Sequence, residues 1–309
     1  MKVISQLRDL NSADPHISLA IGFFDGVHRG HQRLIARAQE TAKHSGGTAW
    51  VMTFEPHPVH VLRPDSAPPL LSPLDQKLDL LRSYGIDGCI VLPFTRATAR
   101  IEPETFVSQL LSAAPPLHHV YVGQNWRFGH ARRGSVRMLS RLARRDNVAV
   151  TAVRPVLHHG VPVSSTRIRE AVLSGEVMEA ATMLGRPYGI EGRVTRGAGI
   201  GRRLGYPTAN VQTRNDILPP FGIYAARGHI DGQSHDGIVS YGIRPTFSRD
   251  VPPQPLVEIH LFDLEANLYD KRITVDLYQR IRDEWEFGST QALVDQIRID
   301  VECARQILK

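Results

Sequence analysis

The sequence predicts an α/β protein in two parts: a parallel sheet with helices on both faces, then a small antiparallel β-barrel with a C-terminal helix. Three observations lead there. Through the first 185 residues, short apolar runs alternate with segments of helical period, the signature of strands joined by crossover helices. Past Gly185, strand-like runs follow one another across Gly, Pro and Asp turns with no helix between them, as in a barrel. The closing stretch STQALVDQIRIDVECARQIL returns to helical spacing.

Taken in order, HISLAIGFF, TAWVMTF, GCIVLP, HHVYVG and VAVTAV are the strands of the first part. They are too apolar for a sheet with one wet face, as expected of strands covered on both sides. Between them, SPLDQKLDLLRSYG is the clearest helix: Ser72 as cap, Pro73 in the first turn, Leu74, Leu78 and Leu81 on one face, and Gly85 as terminator. In the second part IYAARGHI, GIVSYGI, LVEIHLF and RITVDLY are the strands. The boundary is placed at Gly185, giving parts 1–185 and 186–309. No internal repeat or low-complexity tract interrupts either.

With 309 residues and 42% hydrophobic content, the chain can bury one large core or two ordinary ones. No apolar run approaches the ~18 to 20 residues of a membrane span, and MKVISQLRDLNSADPH lacks the apolar segment of a signal peptide. A cytoplasmic protein with no membrane partner is the expectation. Cys89 and Cys303 form no CxxC, which supports neither a disulfide framework nor a cysteine zinc site. The net charge of +6 lies wholly in the first part, where 21 Lys/Arg face 15 Asp/Glu, against 16 and 16 in the second. Seven arginines fall between Arg127 and Arg145. Such a cluster suits the phosphates of a nucleotide or nucleic acid, although a solvated helix face accounts for most of it.

The stretch IGFFDGVHRGHQRLI ends a strand, turns at Asp25 and Gly26, and opens a helix near Gly30. Unpaired N–H groups at a helix start make an anion site. His28 and His31, three residues apart, share a face there, and Gly30 admits close backbone approach. Imidazole N–H groups so placed stabilise charge on a phosphate undergoing in-line displacement without becoming nucleophiles. A metal site is the weaker alternative, because His-x-x-His brings no third ligand. In VPVSSTRIREAVLSGEV, Ser164, Ser165 and Thr166 stand at a helix start with Arg167 and Arg169 in its first turn. That arrangement suits the outer phosphates of a triphosphate as well as plain capping.

GFFDGVHRGH and SSTRIRE resemble the nucleotidyltransferase superfamily of Rossmann-like folds, whose members join a nucleotide to an acceptor with loss of pyrophosphate. TFEPHP (Thr53–Pro58) and VGQNWRFGHARRG (Val122–Gly134) narrow the resemblance to the N-terminal half of the prokaryotic bifunctional riboflavin kinase/FAD synthetases. The resemblance implies that His28, His31, Gly22, Phe24, Gly30, Asn125, Arg127, Ser164, Ser165, Thr166 and Arg169 serve nucleotide and phosphates. It likewise implies that Phe54, Pro56, Pro58 and Trp126 border the flavin.

In GRVTRGAGIGRRLGYPTANV, glycines 197, 199 and 201 invite a dinucleotide reading, but GxGxxG from Gly197 would need glycine where Arg202 stands. No Gly-Lys dipeptide occurs in the chain, so a Walker A loop is excluded. A glycine-rich loop can still cradle phosphates, and Thr208 and Asn210 offer neutral oxygens to a magnesium that keeps several waters. GRRLGYPTAN, PPFGIYA, GIRPTF, LVEIHLFDLEANLYDKRITV and RDEWEF resemble the riboflavin kinase domain in its usual order. That implies ATP and Mg2+ at Gly197, Gly199, Gly201, Thr208 and Asn210, a base at Glu258, and flavin contacts at Arg282 and Glu284. Trp126 stands where phenylalanine is usual, Asp270 where glycine follows LY, and VSYG where Asn-Ile-Gly is common.

The expected chemistry is riboflavin plus ATP giving FMN and ADP, then FMN plus ATP giving FAD and pyrophosphate. Only small molecules are expected as partners. Oligomeric state is not legible in the sequence. Two rival readings remain: an amino-acid-activating ligase of the tRNA synthetase type, disfavoured by the short, neutral second part, and a flavin- or nucleic-acid-binding module using the arginine cluster, which would bind nucleic acid with strong salt dependence.

Overall fold

The structure is a computed structural model of the chain that describes all residues except 11–15, 114–116, 198 and 244–254. Residues 244–247, in the sequence GIRPTF, lie outside the described set. The chain divides into two compact units, Met1–Ser165 and Thr166–Lys309.

The first unit runs β1 (Lys2–Ile4), β2 (Ile17–Ile21), α1 (Arg29–Ser45), β3 (Thr48–Glu55), a short α2 (Pro58–Leu62), α3 (Leu74–Ser83), β4 (Gly88–Pro93), α4 (Pro103–Ala113) and β5 (Leu117–Gly123). It continues through the ribbon β6 (Arg127–Phe128) and β7 (Gly134–Ser135), α5 (Val136–Ala143), β8 (Ala149–Val153), and a second ribbon of β9 (Leu157–His158) and β10 (Val161–Pro162). Six strands form one parallel sheet in the order β1-β4-β3-β2-β5-β8. All five residues of β2 are buried, as apolar runs covered on both faces should be. Alternate residues divide between two cores. Leu19, Ile21, Met52, Ile90 and Val122 pack with Val107 and Leu110 of α4 and Leu139 of α5. Ala20, Val51, Cys89 and Tyr121 pack with Leu34, Ile35 and Ala38 of α1 and Leu81 of α3. Helices therefore cover both faces. The order reverses at β2, which leaves β3 on one side and β5 on the other, and the crevice beyond such a switch is where α/β sheets hold ligands.

Two details differ from the sequence reading. β1 is an edge strand of three residues, two of them exposed, so no apolar run announced it. Ser72 does not cap α3, whose N-cap is Pro73 with no side-chain bond. Its hydroxyl instead accepts the Gly26 N–H, 46 residues away, at 3.1 Å.

The second unit takes in α6 (Ser165–Leu173) from Thr166 on, then α7 (Val177–Leu184), β11 (Tyr188–Thr195), a single-turn α8 (Ile200–Arg203), β12 (Ala209–Thr213), β13 (Gly222–Ile230), β14 (Gln233–Ile243), β15 (Pro255–Leu261), β16 (Arg272–Arg282) and α9 (Thr290–Ile307). The strands close into an antiparallel barrel in the order β11-β12-β15-β14-β13-β16. Val211, Val257, Val239 and Tyr224 fill its interior. Because side chains alternate along a strand, Asn210, Glu258 and Ser240, directly opposite one another on β12, β15 and β14, share the outer face. Ser289 caps α9 by accepting the Ala292 N–H at 3.2 Å. Ala304 and Leu308 at its end pack on Ala225, Ile238 and Phe262. Asp270 sits at φ 63°, the left-handed region that glycine adopts freely and aspartate tolerates.

α7 contacts β11 and β16 and buries Val177, Ala180, Met183 and Leu184. Removing it strips apolar cover worth several kcal/mol at ~1.5 to 3 kcal/mol for each large side chain. A fragment beginning at Arg186 should therefore melt on the order of 10 °C below one beginning at Thr166. Calorimetry of the two fragments checks this; equal melting temperatures would show that α7 adds nothing to the barrel.

Candidate active sites

In the first unit, the chain leaves β2 through a strained loop. Phe24 and Val27 have φ of 53° and 38°, and Gly26 has 72°. Left-handed conformations are unfavourable for residues with a Cβ, most of all for β-branched valine, so the surroundings must impose them. They do so at several points. The Phe23 carbonyl accepts the Thr53 hydroxyl at 2.9 Å. The Asp25 carboxylate, 2% exposed, accepts the N–H groups of Leu71 and Ser72 at 2.9 and 3.3 Å. The Asp25 carbonyl accepts the Ser165 hydroxyl at 3.1 Å.

The loop delivers His28 to the N-cap of α1, where its Nδ1 accepts the Gly30 N–H at 3.1 Å. An accepting Nδ1 carries no proton, so the ring is neutral with its hydrogen on Nε2. His31 stacks on it with centroids 3.7 Å apart and backs onto Phe24 at 5.0 Å. Burial, then the neighbouring His28 and Lys77, hold the His31 imidazole well below its ordinary range. His31 is thus a neutral hydrogen-bond donor rather than a cation, and His28 is neutral whenever its Nδ1 accepts the Gly30 N–H. A Cβ on Gly30 would lie 3.0 Å from the His28 ring, so glycine is what lets the imidazole fold back over the helix start.

The pair opens into a cavity of ≈ 1750 Å³ within this unit. Gly22, Gly30, Asn125 and Arg127 line it, as do Phe54, Pro58 and Trp126. Phe23, His57, Phe94, Phe106 and Phe128 complete an aromatic wall that the sequence reading did not single out. Phe23 and Phe54 meet edge to face at 5.9 Å, while Trp126 stacks on Phe128 at 4.6 Å. The signal available was the phenylalanine at or just past the ends of three strand runs: Phe23, Phe54 and Phe94. Phe24, by contrast, is fully buried in the core and Pro56 is not among the lining residues. Ser164 and Ser165 do not line the cavity either, and Ser165 grips the Asp25 carbonyl. Thr166 and Arg169 belong to the second unit, where Arg169 is 9% exposed on α6. Of the arginine cluster, Arg127 and Arg132 reach the cavity, Arg133 pairs with Glu102, and Arg137, Arg141, Arg144 and Arg145 are exposed.

In the second unit Asn210, 6% exposed, bridges the glycine-rich loop and β15. Its amide donates to Glu258 Oε1 at 2.6 Å and accepts the Gly197 N–H at 3.3 Å. A Cβ on Gly197 would collide with that amide, and one on Gly201 would meet the Tyr206 carbonyl and lie 3.2 Å from Thr208 Oγ1. Gly199 takes φ 68°. Each glycine is needed for a different reason, and together they lay the loop against Thr208, Asn210 and Glu258. Arg282 is committed within the protein: it makes a two-pronged ion pair with buried Asp300 of α9 at 2.7 to 3.1 Å and lies 4.6 Å from the Trp285 ring. The Glu284 carboxylate packs on the Gly242 backbone, leaving no room for a Cβ there.

A doubly wound domain with a helix-mouth histidine pair, joined to a closed barrel with a carboxylate–amide pair beside a glycine loop, is the make-up of a two-activity nucleotide-dependent transferase. The FAD synthetase family model matches residues 10–167 and the riboflavin kinase model residues 184–308. The bifunctional riboflavin kinase/FMN adenylyltransferase of Pseudomonas fluorescens is 36% identical over 99% of this chain and 98% of its own. That of Bacillus subtilis is 35% identical over 91% and 89%. The crystal structure of a macrolide-efflux protein from Streptococcus pneumoniae superposes with TM-score 0.86 over 98% of both chains at 28% identity. Among the described residues no helix is long and apolar enough to cross a membrane. The chain belongs to the bifunctional riboflavin kinase/FMN adenylyltransferase family. It phosphorylates riboflavin to FMN and adenylylates FMN to FAD.

Because a methyl group at residue 197 would displace the Asn210 amide, Gly197→Ala should lower riboflavin phosphorylation at least ~10-fold, about 1.4 kcal/mol of barrier. FMN adenylylation should be unchanged. Steady-state rates of the two half-reactions on the same preparation test this, and an unaltered kinase rate would mean that the loop tolerates the displacement.

Proposed function

We propose that the His28–His31 cavity is the adenylyl-transfer site and that the Thr208–Asn210–Glu258 cluster is the kinase site. The supporting observation is the division of chemical tools: neutral donors in the first, a carboxylate in the second. FMN carries a phosphate whose second pKa is ~6 by analogy with phosphorylated side chains, so near neutral pH it attacks the α-phosphate of ATP without a base. Such a site needs donors to the developing charge. The Nε2–H of His28, fixed by the Gly30 bond at Nδ1, is one. His31, held neutral by burial, gives its proton to hydrogen bonding rather than to the phosphate. Gly22, Gly30, Asn125 and Arg127 line the same cavity and serve the nucleotide. The aromatic wall with Phe54, Pro58 and Trp126 is a surface for the isoalloxazine ring. The family resemblance also offers Ser164 and Ser165, outside the cavity lining, to the phosphates, and Ser165 steadies the loop through the Asp25 carbonyl.

Riboflavin offers a neutral hydroxyl, which must lose its proton while attacking the γ-phosphate, so a positioned carboxylate helps. Glu258 is that base, and the 2.6 Å bond from Asn210 orients it. Magnesium accompanies ATP here: the Thr208 hydroxyl and Asn210 amide oxygen are hard neutral donors suited to a cation that retains waters. Gly197, Gly199 and Gly201 present loop backbone to the phosphates. Glu284 borders the flavin, and Arg282, fixed by Asp300, shapes that border. The functional boundary is placed at Gly185, between adenylyltransferase 1–185 and kinase 186–309. Flavins and ATP are the partners, nucleic acid and membrane are not, and the setting is the cytoplasm.

Two substitutions test the assignments. His31→Ala should cut FAD formation from supplied FMN by the ~10² to 10³ typical of losing one such donor and leave riboflavin phosphorylation nearly intact. A folded variant that makes FAD at the parent rate would refute the histidine assignment. Glu258→Gln keeps the bond to Asn210 but cannot take a proton, so kinase turnover should fall by ~10² to 10⁴ with FMN adenylylation spared. Normal kinase turnover, or equal loss of both activities, would sink the assignment of the base.

A further inference from the structure

Lys77 is one of only five lysines in the chain, and its side chain is 3% exposed. It lies on the buried face of α3, one turn before Leu81, which packs with Phe24, Val27 and Leu34 behind the histidine pair. An ammonium taken from water needs close compensation. What it has is loose: the nearest carboxylate, Glu55 at the end of β3, stands 3.8 Å away. The same oxygen, Glu55 Oε2, is buried and makes no hydrogen bond. At that separation the two charges attract without sharing a hydrogen bond, so the ammonium is only partly compensated. Lys77 does not line the cavity, yet its charge is felt at His31 on the cavity wall.

We propose that Lys77 is a buried positioning residue of the adenylyl-transfer site, a fixed countercharge behind His28 and His31 for the polyphosphate, loosely balanced by Glu55. The inference rests on the assignment of that cavity to adenylyl transfer. The neutral imidazoles donate hydrogen bonds but bring no net charge. ATP with the FMN phosphate, and the departing pyrophosphate, are strongly anionic. A rigid cation behind the wall lowers the energy of that charge, and low dielectric lengthens its reach. Glu55 follows the cavity-lining Phe54, and its carboxylate, 3.8 Å from the ammonium, offsets part of the Lys77 charge.

The sign of the Glu55 effect separates this from a structural ion pair. Lys77→Met should raise the KM for ATP in FMN adenylylation, and for pyrophosphate in the reverse reaction with FAD, about tenfold, as a unit charge acting through an effective dielectric of about 20 can. The KM for FMN should change little, and Lys77→Arg should recover most of the loss. Glu55→Gln should lower the KM for pyrophosphate, since Lys77 is then unopposed. Riboflavin phosphorylation on the same full-length preparations should stay at the parent rate. Unchanged ATP and pyrophosphate KM in Lys77→Met overturns the proposal. So does a Glu55→Gln variant that loses activity in parallel with it, or loss of the kinase step as well, each marking the pair as scaffolding. His31→Ala run alongside keeps the two readings apart: if it is impaired and Lys77→Met is not, only this inference falls, whereas two inert variants remove the site itself.

Discussion

The Asp25 carboxylate holds the first unit's chemistry in place. It is almost fully buried and accepts two backbone N–H groups from residues 71 and 72, a charge-assisted pair that is stronger than neutral hydrogen bonds. Ser72 answers by accepting the Gly26 N–H. This reciprocal grip lets Phe24 and Val27 stay in left-handed conformations that cost of order 1 to 3 kcal/mol each and persist only when overdetermined. Without it the turn would relax, α1 would lose its starting direction, and His28 could not fold back to cap its own helix. The His28–His31 stack and the tautomer of His28 both follow from that placement.

On the proposed assignment of the sites, the two units solve opposite problems with phosphate. Where the nucleophile is already an anion, a carboxylate would repel it, and the cavity presents imidazoles, backbone and arginine. Where the nucleophile is an alcohol, a carboxylate is brought to the loop by an amide that also holds Gly197. A strand glutamate is ordinarily solvated. Glu258 differs because β12, β15 and β14 put Asn210, Glu258 and Ser240 in one row on the outer face of the barrel, and the buried Asn210 beside it takes one carboxylate oxygen.

Much of this could be read from sequence because local signals and global fold agree. The five long strands of the sheet are apolar runs, α9 carries its own cap, and the HRGH segment sits where a strand turns into a helix. What escaped was set by partners distant in the chain. β1 pairs with β4 from an exposed edge, so its residues need no apolar run. Ser72 has the residue type and position of a cap, yet Gly26 claims its hydroxyl. The aromatic wall is assembled from strand ends, loops and Phe106 of α4. The ion pair of Arg282 depends on α9 folding back over the barrel to offer Asp300 from 18 residues away.

Arg282 also shows how an exposed surface is shaped from within the fold. Three contacts to Asp300 fix the guanidinium in a plane, and a fourth ties it to the Asp283 carbonyl at 2.8 Å. A guanidinium so held is a flat, immobile surface, and Trp285, 52% exposed, lies over it at 4.6 Å. The geometry favours cation–π attraction, which orients the indole at little entropic cost because the cation no longer moves. The adjoining Glu284 is fixed in turn by its close packing on Gly242. The segment after β16 thus owes its shape to an ion pair with the terminal helix, and the helix to Ser289 at its start and the apolar contacts of Ala304 and Leu308 at its end. Rigidity passes from a capped helix to a buried ion pair, from that pair to an exposed indole, and only at the indole does it face solvent.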